Sequence, residues 1–337
     1  MSRRSLTPHG TRGGSRARTT ATVAALACGL LLASAGGAAA DRGTGTTDTG
    51  GSGSSGGDGI SAVVYAYHSP EGGQPMTSST GNWSPPVCWF EPRYTNDALA
   101  KHNEEMEDKG PLEGIDHDTA ENRKEETDAH KDKDGMWWER TPVMSPRSCE
   151  IGELWIWVDR GDPDPPADAV DPEILAGLAY DRTKLPAPPV DLKPNEDRNV
   201  VNLPTKIEFS QPLDRVWTTA SLANEQAGIN IAATTVAEPV SLRIDAGTEY
   251  AEPSSCTYDL VKADGGYQVN SDGSGCNITY RKSSGEGAYS MEAQIVWDVT
   301  WNPTASPDGA PRNGDLPDGL SVSEQEVTVK EIQTVVR

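Results

Sequence analysis

The chain has 337 residues, with 29 Lys and Arg against 51 Asp and Glu, a formal charge of −22. So acidic a surface repels a phosphate backbone, which argues against nucleic acid as a partner. With 25 prolines, 34 glycines and a 35% hydrophobic fraction, the composition fits a loop-rich globular protein of one or two domains with a modest core.

Residues 1–40 read as a cleaved export signal. A basic stretch to Arg18 precedes the apolar run Ala21 to Ala35, then Gly36, Gly37 and an A-x-A pattern at Ala38, Ala39 and Ala40, making Asp41 the expected mature first residue. The run is shorter than the roughly 20 apolar residues a spanning helix needs, and no basic cluster follows it, so no stable membrane anchor is expected after cleavage. Ser2-Arg3-Arg4-Ser5-Leu6 resembles a twin-arginine signal, but Thr7 stands where an apolar residue is usual, leaving both export routes open. Ala25-Leu26-Ala27-Cys28 resembles a lipoprotein site, yet the apolar run continues through Leu32, so lipid attachment is not expected. Removal of five arginines and no acid takes the formal charge from −22 to −27.

Residues 41–59 are almost wholly Gly, Ser, Thr and Asp, a composition that cannot bury apolar area and predicts a disordered linker. Gly51, Gly53 and Gly56 fit G-x-G-x-x-G, but no strand or helix flanks them, so no nucleotide cofactor follows.

Residues 60–165 read as a Trp-rich α+β region. Val63 to Tyr67, Val87 to Tyr94 and Leu154 to Val158 are short apolar or aromatic runs bounded by Pro and Gly, expected to pair in a small sheet. The insert 96–134 carries fourteen acids and six bases, which predicts exposed helix with little core. Residues 166–198 form a helix and Pro-rich connector: Asp171-Pro172-Glu173 is a helix start, with Ile174, Leu175, Leu178 and Ala179 on one face.

From residue 199 to 337 β-branched stretches dominate. Strands are predicted at Lys206 to Phe209, Val216 to Leu222, Ile229 to Val236, Val240 to Ile244, Thr257 to Val261, Asn277 to Arg281, Tyr289 to Trp301 and Val322 to Val335. Ala293, Ile295, Trp297, Val299 and Trp301 alternate as a half-buried strand requires. The fold class is therefore mainly β with minor α: a small N-terminal α+β region followed by an immunoglobulin-like antiparallel β-sandwich.

Beyond the leader, Cys88, Cys149, Cys256 and Cys276 form an even set suited to two disulfides in an oxidising compartment. Four cysteines allow three pairings; the local one, Cys88 with Cys149 and Cys256 with Cys276, is favoured because it keeps one bridge in each region. No C-x-x-C pair points to zinc.

Catalytic signals are sparse, and no catalytic residue, cofactor or metal is assigned. Outside the low-complexity residues 41–59 the chain has no G-x-S-x-G match, and it has no P-loop or H-E-x-x-H. Outside the leader, its histidines are His68, His102, His117 and His130, the last three within the charged insert and expected on a solvated face. His130, Asp132, Asp134 and Gly135 resemble a calcium loop, but His130 replaces its first Asp and Thr141 its closing Glu. Tyr258 and Lys262 have reductase-like spacing but lie in a predicted strand; Asp272-Gly273-Ser274-Gly275 reads as a turn. Of nine tryptophans, Trp83, Trp137, Trp138 and Trp155 are the candidate ligand contacts, with core packing as the competing role.

The runs Pro85 to Pro92, Asp134 to Trp138, Asp171 to Leu175 and Val201 to Thr205 resemble a family of uncharacterised secreted proteins of actinomycetes such as Streptomyces. Some members bear the labels enoyl reductase or ATP/GTP-binding protein, which no motif here supports. The resemblance spans Ile60 to Arg337, implies an envelope or extracellular site of action, and transfers no catalytic residue; the acidic insert departs from the family pattern. The expectation is a secreted, non-enzymatic binding or structural protein with an envelope protein or glycan as partner. The alternatives are an extracellular hydrolase of wall or polysaccharide polymer and a Trp-based carbohydrate-binding module.

Overall fold

The computed structural model describes residues 63–69, 72–110, 117–141, 153–162, 165–166, 168–270, 276–312 and 316–332. The expected leader and linker, Cys149 and the turn expected at Asp272 to Gly275 lie outside the described residues, as do the side chains of 117–120. The protein is mainly β, with 48% strand and 14% helix, as its composition and β-branched runs indicate.

Strand β1 (Val64–His68) does not join the small N-terminal sheet that its position suggests. It pairs antiparallel with β7 (Val216–Asn224), from Val64 opposite Ser221 to His68 opposite Trp217, at the edge of the large sheet. Period-2 alternation fixes which side chains are buried but not which strand covers them; Val63 and Tyr65 bury against Ala220 and Leu222.

The small sheet holds β2 (Trp89–Tyr94), β3 (Gly135–Thr141) and β4 (Trp155–Asp159) in that order. The acidic insert supplies α1 (Asn96–Asp108), capped by Thr95 whose hydroxyl accepts from the Ala98 amide, and α2 (His117–Ala129). As expected of so charged a segment, α1 buries little, namely Leu99 and Asn103.

Helix α3 (Pro172–Arg182) starts where the sequence places it: Asp171 is the cap, its carboxylate accepting from the Ile174 amide at 2.8 Å. Burial runs through Leu175 to Tyr180 without a solvent face, a wider contact than one amphipathic stripe. One side meets the large sheet, where Thr235 Oγ1 donates to the Ala176 carbonyl at 3.0 Å; another meets Pro86, whose ring a Cβ at Gly177 would approach to 2.8 Å.

The rest comprises β5 (Val190–Lys193), β6 (Pro204–Phe209), β7, β8 (Ile229–Asp245), β9 (Ser255–Ala263), β10 (Gly266–Val269), β11 (Ile278–Tyr280), β12 (Tyr289–Asn302) and β13 (Gly319–Val327). The large antiparallel sheet runs β1-β7-β8-β12-β13, with β9 and β10 continuing from the far half of β8. A second sheet of Ala251–Glu252, β11, β6 and β5 faces it. Leu192, Ile207 and Ile278 from one sheet meet Leu242, Ile244, Ile295 and Trp297 from the other in a sandwich-like core.

Two predicted strands prove to be one, because β8 runs through Pro239. β7 pairs with it as far as Ala237 and β9 begins at Ser241, so the proline falls in a gap that needs no donor on that side. The β12 register shifts between Pro239 and Ser241, a bulge that absorbs the ring. A disulfide joins Cys256 to Cys276, as the local pairing requires, and Cys88 is also disulfide-bonded.

Candidate functional site

The tryptophans are divided by strand geometry. Neighbours in a strand point to opposite faces, so Trp137 and Trp138 are both buried, at 4% exposure, on opposite sides of the small sheet. Trp137, Trp157 and Tyr94 form an aromatic layer with half-buried Trp155 on the side facing α1 and α2. Trp83 lies elsewhere, its ring 4.3 Å from that of Tyr180 at the main core.

Two of the insert's histidines, His102 and His130, are not simply solvated. His102 stacks on Tyr94 at 5.3 Å, and His130 packs against Trp137 at 4.9 Å and Trp157 at 4.6 Å. The Arg123 guanidinium lies 4.2 Å from the Trp155 ring. Asn96 ties the layer together, accepting from Trp137 Nε1 at 2.9 Å and donating to the Thr127 carbonyl at 2.8 Å. Burial holds the His102 imidazole below its ordinary pKa. No group of three His, Cys, Asp or Glu able to hold a metal occurs among the described residues, and His130 Nδ1 is bonded to the Glu126 carbonyl at 2.7 Å. The sheet's aromatic face is thus occupied by the chain's own helices.

Alongside that layer, on the same face of the sheet, lies a polar pair that the sequence reading overlooked. Glu91 and Glu139 stand directly opposite in the β2–β3 ladder, 6% and 7% exposed. Glu139 meets Arg93 at 3.3 Å and accepts from Trp155 Nε1 at 3.3 Å, while Glu91 accepts from Trp89 Nε1 at 3.4 Å. Burial raises both carboxyls above the usual range, against the indole and Thr141 hydrogen bonds at Glu91 and the Arg93 charge at Glu139. The alternation Trp89, Glu91, Arg93 is the sequence signal for polar groups on one strand face. Tyr258, on β9, is likewise structural: its hydroxyl donates to the Cys276 carbonyl, and Lys262 lies 5.4 Å from the Tyr267 ring.

The accessible concavity is a cleft of about 390 Å³ where the end of β4, the start of α3 and the start of β8 meet. Its apolar wall includes Trp138, Val158, Val170, Ile229 and Ile231; Asp159, Asp162 and Asp171 bring carboxylates to the same space. Asp159 accepts from Trp157 Nε1 at 2.8 Å, and Asp171 caps α3. Among the described residues the lining contains no Lys, Arg, His, Ser or Cys. Beside it, a hollow of about 360 Å³ contains Arg160, which reaches the Glu225 carbonyl at 2.8 Å and Asp134 at 3.9 Å. Of the candidate ligand contacts, Trp138 alone lines the cleft; Trp83, Trp137 and Trp155 do not.

No family model, no curated protein and no solved structure matches the chain.

Proposed function

We propose that this is a secreted, non-enzymatic binding protein of the envelope or extracellular space, and that the cleft between the small sheet and the start of β8 takes its ligand. The observation that carries the reading is the cleft's composition: an apolar wall flanked by three aspartates with no basic side chain among the described lining residues. Such a surface favours a ligand with an apolar body and a positive charge. The leader-like residues 1–40, the Cys256–Cys276 disulfide and the resemblance to secreted actinomycete proteins support the compartment. A Trp-based carbohydrate site draws less support, since the rings of His102 in α1 and His130 just past α2 cover the aromatic layer.

Methyl NMR of the full chain tests this, with n-hexylammonium as probe and hexanoate as its charge-reversed control. Hexylammonium is expected to move the Ile229 and Ile231 methyl signals and leave Ile244, which is fully buried in the main core, in place. Equal responses to both probes, or none at Ile229 and Ile231, would overturn the reading. Three carboxylates in one cleft also favour the hydrolase alternative, which needs an acid and a base facing one space. Release of fragments from peptidoglycan or polysaccharide, abolished by Asp159→Asn or Asp162→Asn, would replace binding with catalysis.

A further inference from the structure

We propose that the ligand enters the cleft as an extended peptide of a partner protein, hydrogen-bonded as an added strand along the open edge of β8 from Ile229 to Ala232, before the strand enters the core at fully buried Ala233. The proposal rests on the cleft being the ligand site and names the occupant: a segment with alternating apolar residues and a lysine or arginine.

Strand pairing supplies the first observation. β8 pairs with β7 along one edge from Ile229, opposite Asn224. Along its other edge β12 takes over only at Thr234, opposite Asn302. Ile229 to Ala232 make no other backbone hydrogen bond among the described residues. In a paired strand successive residues present amide groups to alternate sides, so this stretch carries outward donors and acceptors without a ladder.

The cleft meets that edge rather than a face of the strand. A cavity against one face of β8 would touch every second residue, because side chains alternate. This one is lined within the strand by Ile229, Asn230 and Ile231 in succession, after Ala227 and Gly228 of the preceding turn. Open edges are ordinarily blunted by lysine, proline or a bulge, and the sequence Ile-Asn-Ile-Ala at 229–232 has none of these. Strand addition uses such an edge for affinity and the flanking pockets for specificity. The flanks here are Trp138 and Val158 for apolar side chains and Asp159, Asp162 and Asp171 for a cation.

The test begins with selection of displayed random heptapeptides on the full chain, followed by synthesis of an enriched peptide with its amides N-methylated at alternate positions. Enriched sequences should alternate apolar residues and carry a lysine or arginine. Methylation in one alternate set should weaken binding by about tenfold or more, and in the other set much less, because only one set faces the protein. Amides within 229–232 should gain protection from hydrogen exchange, and Asp159→Asn should weaken the basic peptide by about fivefold. Cleft binding that is lost in Asp159→Asn but indifferent to methylation would overturn strand addition and leave the cleft reading intact. Failure to enrich any peptide, or enriched peptides that neither protect 229–232 nor respond to Asp159→Asn, would overturn the proposal. The hexylammonium titration then judges the cleft separately.

Discussion

Glu91 and Glu139 face each other across two strands, yet their neutral isosteres should act in opposite directions. Glu139 is the anion beside Arg93, with side chains 10% and 9% exposed and 3.3 Å apart. Glu139→Gln keeps an acceptor for Trp155 but leaves the buried guanidinium without that charge, a change that typically costs about 3 kcal/mol and outweighs relief of the burial that raises this carboxyl too. Glu91 has indole and hydroxyl partners, a like charge opposite, and a carboxyl pushed up by burial. A raised folded pKa means that its favourable contribution is complete below the unfolded value of 4.5 and is lost as pH rises through the folded value. At neutral pH the ionised Glu91 is therefore a burden, and Glu91→Gln should stabilise by up to about 1 kcal/mol. That gain should vanish near pH 4, where the wild-type carboxyl is protonated. Urea unfolding followed by tryptophan fluorescence at pH 7.5 and pH 4 reads both effects, provided that the denaturant slope is unchanged. Equal losses in the two variants at pH 7.5, or destabilisation by Glu91→Gln, would refute the division of roles.

Asp171→Ala should cost about 1 kcal/mol in the same assay, since it removes the acceptor of the Ile174 amide; a neutral result would mean that the cap is dispensable. For His102, with its folded pKa lowered by burial, stability is full above the unfolded value of 6.5 and falls as pH drops through the folded one. The aromatic layer should consequently loosen between pH 7.5 and pH 5, read as a pH-dependent change in tryptophan emission that His102→Phe reduces. Replacing Cys256 and Cys276 by serine opens a 20-residue separation and should lower stability by roughly 3 kcal/mol, measured by urea unfolding. Gly177→Ala, which would place a Cβ 2.8 Å from Pro86, should destabilise by about 1–3 kcal/mol; an unchanged melting temperature would show that Pro86 yields freely.

The sequence makes legible what depends on local chemistry. Asp171-Pro172-Glu173 marks a helix start by capping, and the alternation from Ala293 to Trp301 marks a strand whose five apolar side chains are all 6% exposed or less. The Cys256–Cys276 bridge is legible because the two residues share one region and a short separation. What depends on distant pairing is not legible. Nothing in Val64 to His68 says that its partner is Val216 to Asn224, and nothing near Pro239 reveals that one neighbouring strand ends and another begins beside it. His102 and His130 sit in a charge-rich stretch that reads as solvated, yet rings from another segment draw them inward. The cleft draws on the end of β4, the start of α3 and the start of β8, separated in sequence, so its aspartates carry no common motif.

Site-specific photocrosslinking tests the central claim most directly. A benzoylphenylalanine replacing Asn230, an exposed cleft-lining residue, would be irradiated in the protein expressed by its own producer, with Leu203 as the control position. Adducts formed from position 230 and not from 203, carrying a basic peptide, are the result the account predicts. Adducts at 203 with none at 230 would contradict it.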